Sequence, residues 1–200
     1  MVAESSEVLA EVSEVDPGEL AEGLASSSRR VRQSTAAQVA ALSRTNPELV
    51  LTFGDVVVDS LSRPEARTRW ESLDALSNLV ALDNKLCATA VELAEEALFD
   101  EDNGTVRLAS MRFICKLGAS SKELASETWP LIDEALRCYH GDPEYTDMLV
   151  AVNEFASGEL SEDVVEQLVK RMEFDANNPK SGLLRRANSI IAAARGESAE

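Results

Sequence analysis

The residues that could do chemistry are few and scattered. His140 is the one histidine of the chain, and it stands in the turn-like segment HGD (140–142) with no second histidine or paired cysteine nearby. A metal site needs three or four converging ligands, so His140 reads as a surface residue. The cysteines Cys87, Cys115 and Cys138 are odd in number, widely spaced and set in helix-like apolar patterns. They read as buried reduced thiols, and no disulfide framework follows. The acidic run DEDNG (100–104) invites a calcium reading, but an EF-hand loop starting at Asp100 needs Gly at 105 and Glu at 111, where Thr105 and Met111 stand. Its carboxylates suit a solvated turn that caps a helix. There is no G-x-S-x-G elbow, no P-loop and no G-x-G-x-x-G turn, and with 24 Glu and 12 Asp, neighbours such as Glu95 and Glu96 are expected by chance. The sequence therefore supports neither a catalytic residue, nor a cofactor, nor a metal.

Composition narrows the field further. At 200 residues and 44% hydrophobic content the chain can bury a substantial core. The runs FGDVVVDSL and LSNLVAL are broken by charge or polarity well before the roughly 18 to 20 apolar residues that a membrane span needs. The segment MVAESSEVLAEVSEV carries no basic n-region or long apolar stretch, so a soluble, cytoplasmic protein is expected. The net charge of -17, from 36 acidic against 19 basic residues, repels phosphate backbones and anionic lipid. Neither nucleic acid nor a membrane is an expected partner. Arg outnumbers Lys by 14 to 5 and Val far exceeds Ile, and acid excess with scarce Lys is also what a protein adapted to high salt shows, as in a halophilic archaeon.

The elements that would position any site come from an internal repeat. The segments VRQSTAAQVAAL, TRWESLDALSNL, VRLASMRFICKL, EYTDMLVAVNEF and LLRRANSIIAAA begin at Val31, Thr68, Val106, Glu144 and Leu183, spaced by 37, 38, 38 and 39 residues. Their columns agree in chemistry: Thr35, Ser72, Ser110, Met148 and Ala187 four places on; Val39, Leu76, Ile114, Val152 and Ile191 eight on; Leu42, Leu79, Leu117, Phe155 and Ala194 eleven on. A second register pairs Leu20 with Leu24, Val57 with Leu61, Ala94 with Leu98, Ile132 with Leu136 and Leu168 with Met172, at separations of 37, 37, 38 and 36. Both registers carry i, i+4 spacing, so each repeat holds two helices. Pro17, Pro47, Pro64 and Pro143 stand near helix starts, where a missing N–H costs little. The VVV run at 56–58 has β-propensity, but its phase with the other pairs outweighs that weak prior and predicts helix.

These features resemble HEAT-type repeats, of the kind shared with armadillo-related and phycobilisome-lyase-like α-solenoids. The match is best in DNGTVRLAS (102–110) and in the dipeptides Val31-Arg32, Thr68-Arg69 and Val106-Arg107 that open the second helix. The resemblance implies an all-α, right-handed α-solenoid of about five helical-hairpin repeats with period 36–39, covering residues 16–196. An acidic segment, 1–15, could cap one end, and 197–200 is a tail. It also implies that the dipeptide Arg joins an inter-repeat polar ladder; Tyr145 and Leu184 stand in its place in the last two repeats. Di-iron hydroxylases of related architecture need His-Glu motifs that are absent here, and repeat-type DNA glycosylases need a cationic groove. Chromophore lyases resemble the array too, and nothing in the sequence separates their pocket from a generic groove.

On a wheel of about 100° per residue, the columns at +4, +8 and +11 cluster on one side and those at +2, +6 and +9 face away. In a solenoid that outward face of the second helix lines the concave surface. Trp70 lies there, which is why a large apolar side chain stands opposite the buried face of its own helix. Trp70, Leu108 and Val150 would form a slanting apolar track, flanked by Asp74 and Arg112, with Thr146 beside it. Aromatic and Arg anchors are what interface centres favour. The function expected is a non-catalytic scaffold or adaptor that binds a protein or peptide partner on that face; an enzyme with an unrecognised pocket and a self-associating structural protein are the alternatives. Because each repeat touches only its neighbours, self-repulsion at -17 is poorly offset, and salt shortens its reach from about 10 Å at 0.1 M to about 3 Å at 1 M. Thermal melts in KCl should show the midpoint rising steeply at first and continuing upward at molar salt; a midpoint flat above about 0.2 M removes the high-salt adaptation.

Overall fold

The computed structural model describes residues 16–177 and 182–197. The segment 1–15 expected as a cap lies outside them, as do 198–200 of the tail. The described residues form twelve α-helices, one 3-10 turn and no strand. Repeat one is α1 (Pro17–Ala25) and α2 (Arg29–Ser43). Repeat two is α3 (Pro47–Leu51), α4 (Gly54–Asp59) running into the 3-10 turn Ser60–Ser62, and α5 (Ala66–Leu79). Repeat three is α6 (Asn84–Ala88), α7 (Val91–Leu98) and α8 (Gly104–Gly118). Repeat four is α9 (Lys122–Cys138) and α10 (Tyr145–Ala156), and repeat five is α11 (Glu162–Ala176) and α12 (Leu184–Ala194).

Local chemistry sets these boundaries. Asn46, Asp83 and Ser121 each accept a hydrogen bond from the amide three residues on, at 3.2, 2.9 and 3.2 Å, so side-chain caps recur with the repeat. Pro17 and Pro47 occupy the first helical position, where no N–H is needed. In repeats two and three the outer half is split, giving three helices where a pair was expected. Thr52 and Thr89 stand at the two breaks, and each hydroxyl donates to a carbonyl three residues back, Leu49 and Leu86, at 2.7 Å. Such back-bonding competes with the helical ladder. Repeat four has no Thr at that place, and α9 runs on through Pro130. The VVV run is helical, as its phase predicted.

All ten residues of the outer register, from Leu20 to Met172, are buried. The inner register is buried through repeat four. In repeat five Ala187 and Ile190 are buried, whereas Ile191 and Ala194 are half-buried, because no described helix lies beyond α12 to cover them. Cys87 and Cys115 are buried as expected; Cys138, at the end of α9, is exposed, which corrects its reading as a core thiol. Successive second helices, α2, α5, α8, α10 and α12, pack directly on one another, while the outer helices touch more sparsely. The stack therefore curves toward its second helices as a right-handed α-solenoid. Close approach is part of that packing: a Cβ at Gly118 would sit 2.2 Å from the Thr128 hydroxyl and 2.8 Å from the Phe155 ring, where α8, α9 and α10 meet.

A polar ladder ties each repeat to the next. Arg32 is bonded to Glu65, Arg69 to Asp100 and Arg107 to Glu144, every rung nearly excluded from water. Arg32 also donates back to the Ser26 carbonyl at 2.7 Å, and Arg107 to that of Asp100 at 2.8 Å, so both clamp the turn of their own repeat while reaching the following one. At the fourth rung Tyr145 replaces Arg, yet the ladder does not lapse: its hydroxyl donates to buried Asp175 at 3.3 Å, and His140 Nε2 lies 3.1 Å from the same carboxylate. His140 is thus exposed but joined to the ladder's last acid.

The ladder makes stability depend on acid. The hydrogen bond from Arg32 holds Glu65 below the usual carboxylate range. Burial pushes Asp100 and Glu144 up, but the hydrogen bonds and charge of Arg69 and Arg107, joined by Asn103 and the Asp102 amide at Asp100 and by a backbone amide at Glu144, together leave both lowered. A carboxyl depressed in the folded state stabilises fully above its ordinary value, here 4.5, 3.8 and 4.5, and that contribution disappears as pH falls through the folded value. Arg32→Met, which strands a buried carboxylate, should cost about 3 kcal/mol at pH 7. In urea titrations the gap between variant and parent should narrow sharply by about pH 3; an equal gap at both pH values contradicts the ladder's role.

Candidate functional site

The inner wall of the array is built from the exposed sides of the second helices. The structure brings Asp74, Arg112 and Val150 together in one open groove of about 250 Å³, on three consecutive second helices. Arg44, Ser77, Asn78, Lys116, Ala151 and Glu154 complete its lining. Trp70 and Leu108 lie outside the groove, half-buried against the core, and Thr146 is exposed but likewise not part of it.

The open face is rotated from the one expected. In the +9 column Ala40 and Cys115 are fully buried, because neighbouring second helices close over that side, and Ser77 alone of that column lines the groove. The +10 column instead opens on the groove through Asn78, Lys116 and Glu154, and the +13 column contributes Arg44. At about 100° per residue, +13 falls between +2 and +6, so Arg44 was legible on the wheel. The +10 position lies about 100° beyond +9, and only the packing direction of the next helix selects it.

Charge inside the groove is partly paired. Arg44 Nη2 lies 3.6 Å from Asp74 Oδ2. Asn78 donates to Ser43 of the preceding repeat at 3.0 Å, which fixes its amide. Arg112 is exposed and Lys116 half-exposed, and neither forms an ion pair among the described residues. Val150 is 51% exposed among these charged groups. Burial raises the Asp74 carboxyl above its ordinary value, opposed by nearby Arg112 and Arg44. Among the described residues no cluster of three or more His, Cys, Asp or Glu is placed to hold a metal, and no helix is long and apolar enough to cross a membrane. Burial pushes the Cys87 thiol up to about 12 and Cys115 higher still, so neither is a thiolate at neutral pH.

No protein-family model matches the chain, and no curated protein does. Solved structures do. A designed armadillo repeat protein in complex with the peptide (KR)4 aligns over 88% of this chain and 80% of its own, with a TM-score of 0.70 at 15% identity. The fold is that of an armadillo-type helical-repeat array. A computationally designed armadillo repeat protein for modular peptide recognition aligns over 87% and 80% with a TM-score of 0.66 at 16% identity. An armadillo-repeats-only protein from Plasmodium falciparum aligns over 82% and 80% with a TM-score of 0.58 at 15% identity. The three-helix form of repeats two and three agrees with this armadillo likeness.

Asp74 offers a test of what the groove costs. Because its folded value is raised, the ionised form is disfavoured by folding at neutral pH, and that penalty fades as pH falls toward the ordinary value of 3.8. Asp74→Asn should leave the unfolding free energy from urea titration at pH 7 unchanged or raise it by up to about 0.5 kcal/mol. Any such gain should vanish by about pH 4; a clear loss at pH 7 would make Asp74 a structural partner of Arg44 instead.

Proposed function

We propose that this chain is a non-catalytic scaffold or adaptor that binds a protein or peptide partner along the inner face of its repeat array, in the cytoplasm. One observation carries the reading. The second helices form a continuous wall whose middle opens as a groove, where exposed Val150 stands beside Arg112 with no side chain of the described array covering either. Such an apolar spot rimmed by a guanidinium is the composition that interface centres favour. Two of the structural neighbours are a designed protein in complex with a peptide and one made for peptide recognition, so the same architecture is compatible with that use. Trp70 and Leu108, half-buried toward one end of the same wall, would extend contact beyond the groove.

Selection from a displayed library of random peptides tests the proposal. Clones should be enriched that bind the parent, and Val150→Glu, which places a carboxylate at the exposed apolar spot, should weaken them about tenfold or more. Circular dichroism should show the variant still helical. If no clone survives, or if survivors bind Val150→Glu equally well, the inner face is not the binding surface. One equivalent of metal or a visible chromophore in the purified protein would favour the enzymatic alternative instead.

A further inference from the structure

The acid excess of this chain is not spread evenly over the array. The five inner helices, α2, α5, α8, α10 and α12, carry ten Lys and Arg against four Asp and Glu. The seven outer helices, α1, α3, α4, α6, α7, α9 and α11, carry five Lys and Arg against seventeen Asp and Glu. The inner helices are thus net positive inside a protein of charge -17, and the groove holds Arg44, Arg112 and Lys116 against Asp74 and Glu154. The ladder accounts for three of the inner cations, Arg32, Arg69 and Arg107, each spent on an acid outside the inner helices. Arg67 is paired with Glu71 at 3.5 Å. Arg112 and Lys116, one turn apart on α8, have no such partner, and both line the groove with Arg44.

From this polarity we infer that the groove takes an acidic peptide segment, whose carboxylates meet Arg112, Lys116 and Arg44 while its apolar side chains meet Val150. The inference rests on the peptide-binding reading above and adds the sign of the partner. An abundance of outer carboxylates would make unpaired inner cations easy to neutralise, yet Arg112 and Lys116 are left open on the concave side. Asp74 behaves as a stand-in: held between Arg44 and Arg112 and disfavoured in its charged form by burial, it occupies the place of a ligand carboxylate without satisfying either cation fully. A peptide is favoured over nucleic acid because a phosphate strand carries charge at every residue and would run into the outer carboxylates, whereas a peptide can concentrate its acids over the groove. Among the neighbours, the designed protein that holds (KR)4 has a partner of the opposite sign.

Fluorescence anisotropy with labelled probes decides the matter. The probes are a twelve-residue peptide with four Glu among Leu and Ala, its counterpart with Lys at each Glu, and a single-stranded DNA of equal length, at 0.15 and 1 M KCl. The acidic peptide should bind about tenfold more tightly than the basic one, and Arg112→Glu with Lys116→Glu should reverse that preference. Asp74→Asn, made apart from the double variant, should tighten the acidic peptide. Preference for the basic peptide or for DNA overturns the inference, as does binding of the acidic peptide that the double variant leaves unchanged. If none of the probes binds while library clones do, the sign assignment fails and the peptide-binding reading stands; if no clone binds either, both fail.

Discussion

Each repeat of this array can close its own surface only against the next one. A helical pair has two apolar faces, one used within the repeat and one that needs a neighbour, and there is no central core to which all elements contribute. The constraint is met by packing second helix on second helix, α2 to α5 to α8 to α10 to α12, with a nearly water-free polar rung at one end of each junction. The apolar contact supplies most of the stabilisation, since burial is non-directional and scales with area. The rung supplies direction. A guanidinium bound at once to its own turn and to the next repeat's carboxylate fixes how one pair is set against another, and a register slip would leave both charges stranded.

The fourth rung shows which part of that device is required. Tyr145 keeps the hydrogen bond to a buried carboxylate while giving up the ion pair, and His140 comes to the same acid from the turn after α9. What persists is a donor in the first turn of the inner helix and an acid ahead of the following inner helix. Its charge is replaceable. A tilted contact of His140 with Tyr145 and an edge contact with Phe174 gather aromatic groups at this rung, where the earlier rungs have an Arg.

Curvature makes a groove out of the same packing. Because the inner helices lie closer together than the outer ones, their free sides converge, and side chains from α5, α8 and α10 line one groove although they are far apart in sequence. The charges divide accordingly. Solvated carboxylates spread over the splayed outer helices, where repulsion is weakest, and cations collect on the inner helices.

The sequence by itself determined the repeat, its period, the helical state of VVV, the burial of the outer register and, through repeat four, that of the inner one, because these are local or nearest-neighbour properties. The resemblance to HEAT-type repeats, carried by the dipeptides they share, pointed to Arg32, Arg69 and Arg107 as ladder residues. The sequence did not show that Thr52 and Thr89 split the outer half of two repeats, although both threonines stand in phase, since a Thr in a helical pattern breaks it only where tertiary packing does not hold it. For the groove, periodicity gave the inner side of each helix and therefore Asp74, Arg112 and Val150. The turn of that side toward its neighbour lay beyond it. Whether +9 or +10 meets solvent depends on the direction from which the next helix packs, and that direction is a property of the assembled stack, absent from any single helix. For this reason Cys115 is buried and Lys116 faces the groove, though they are adjacent in the chain.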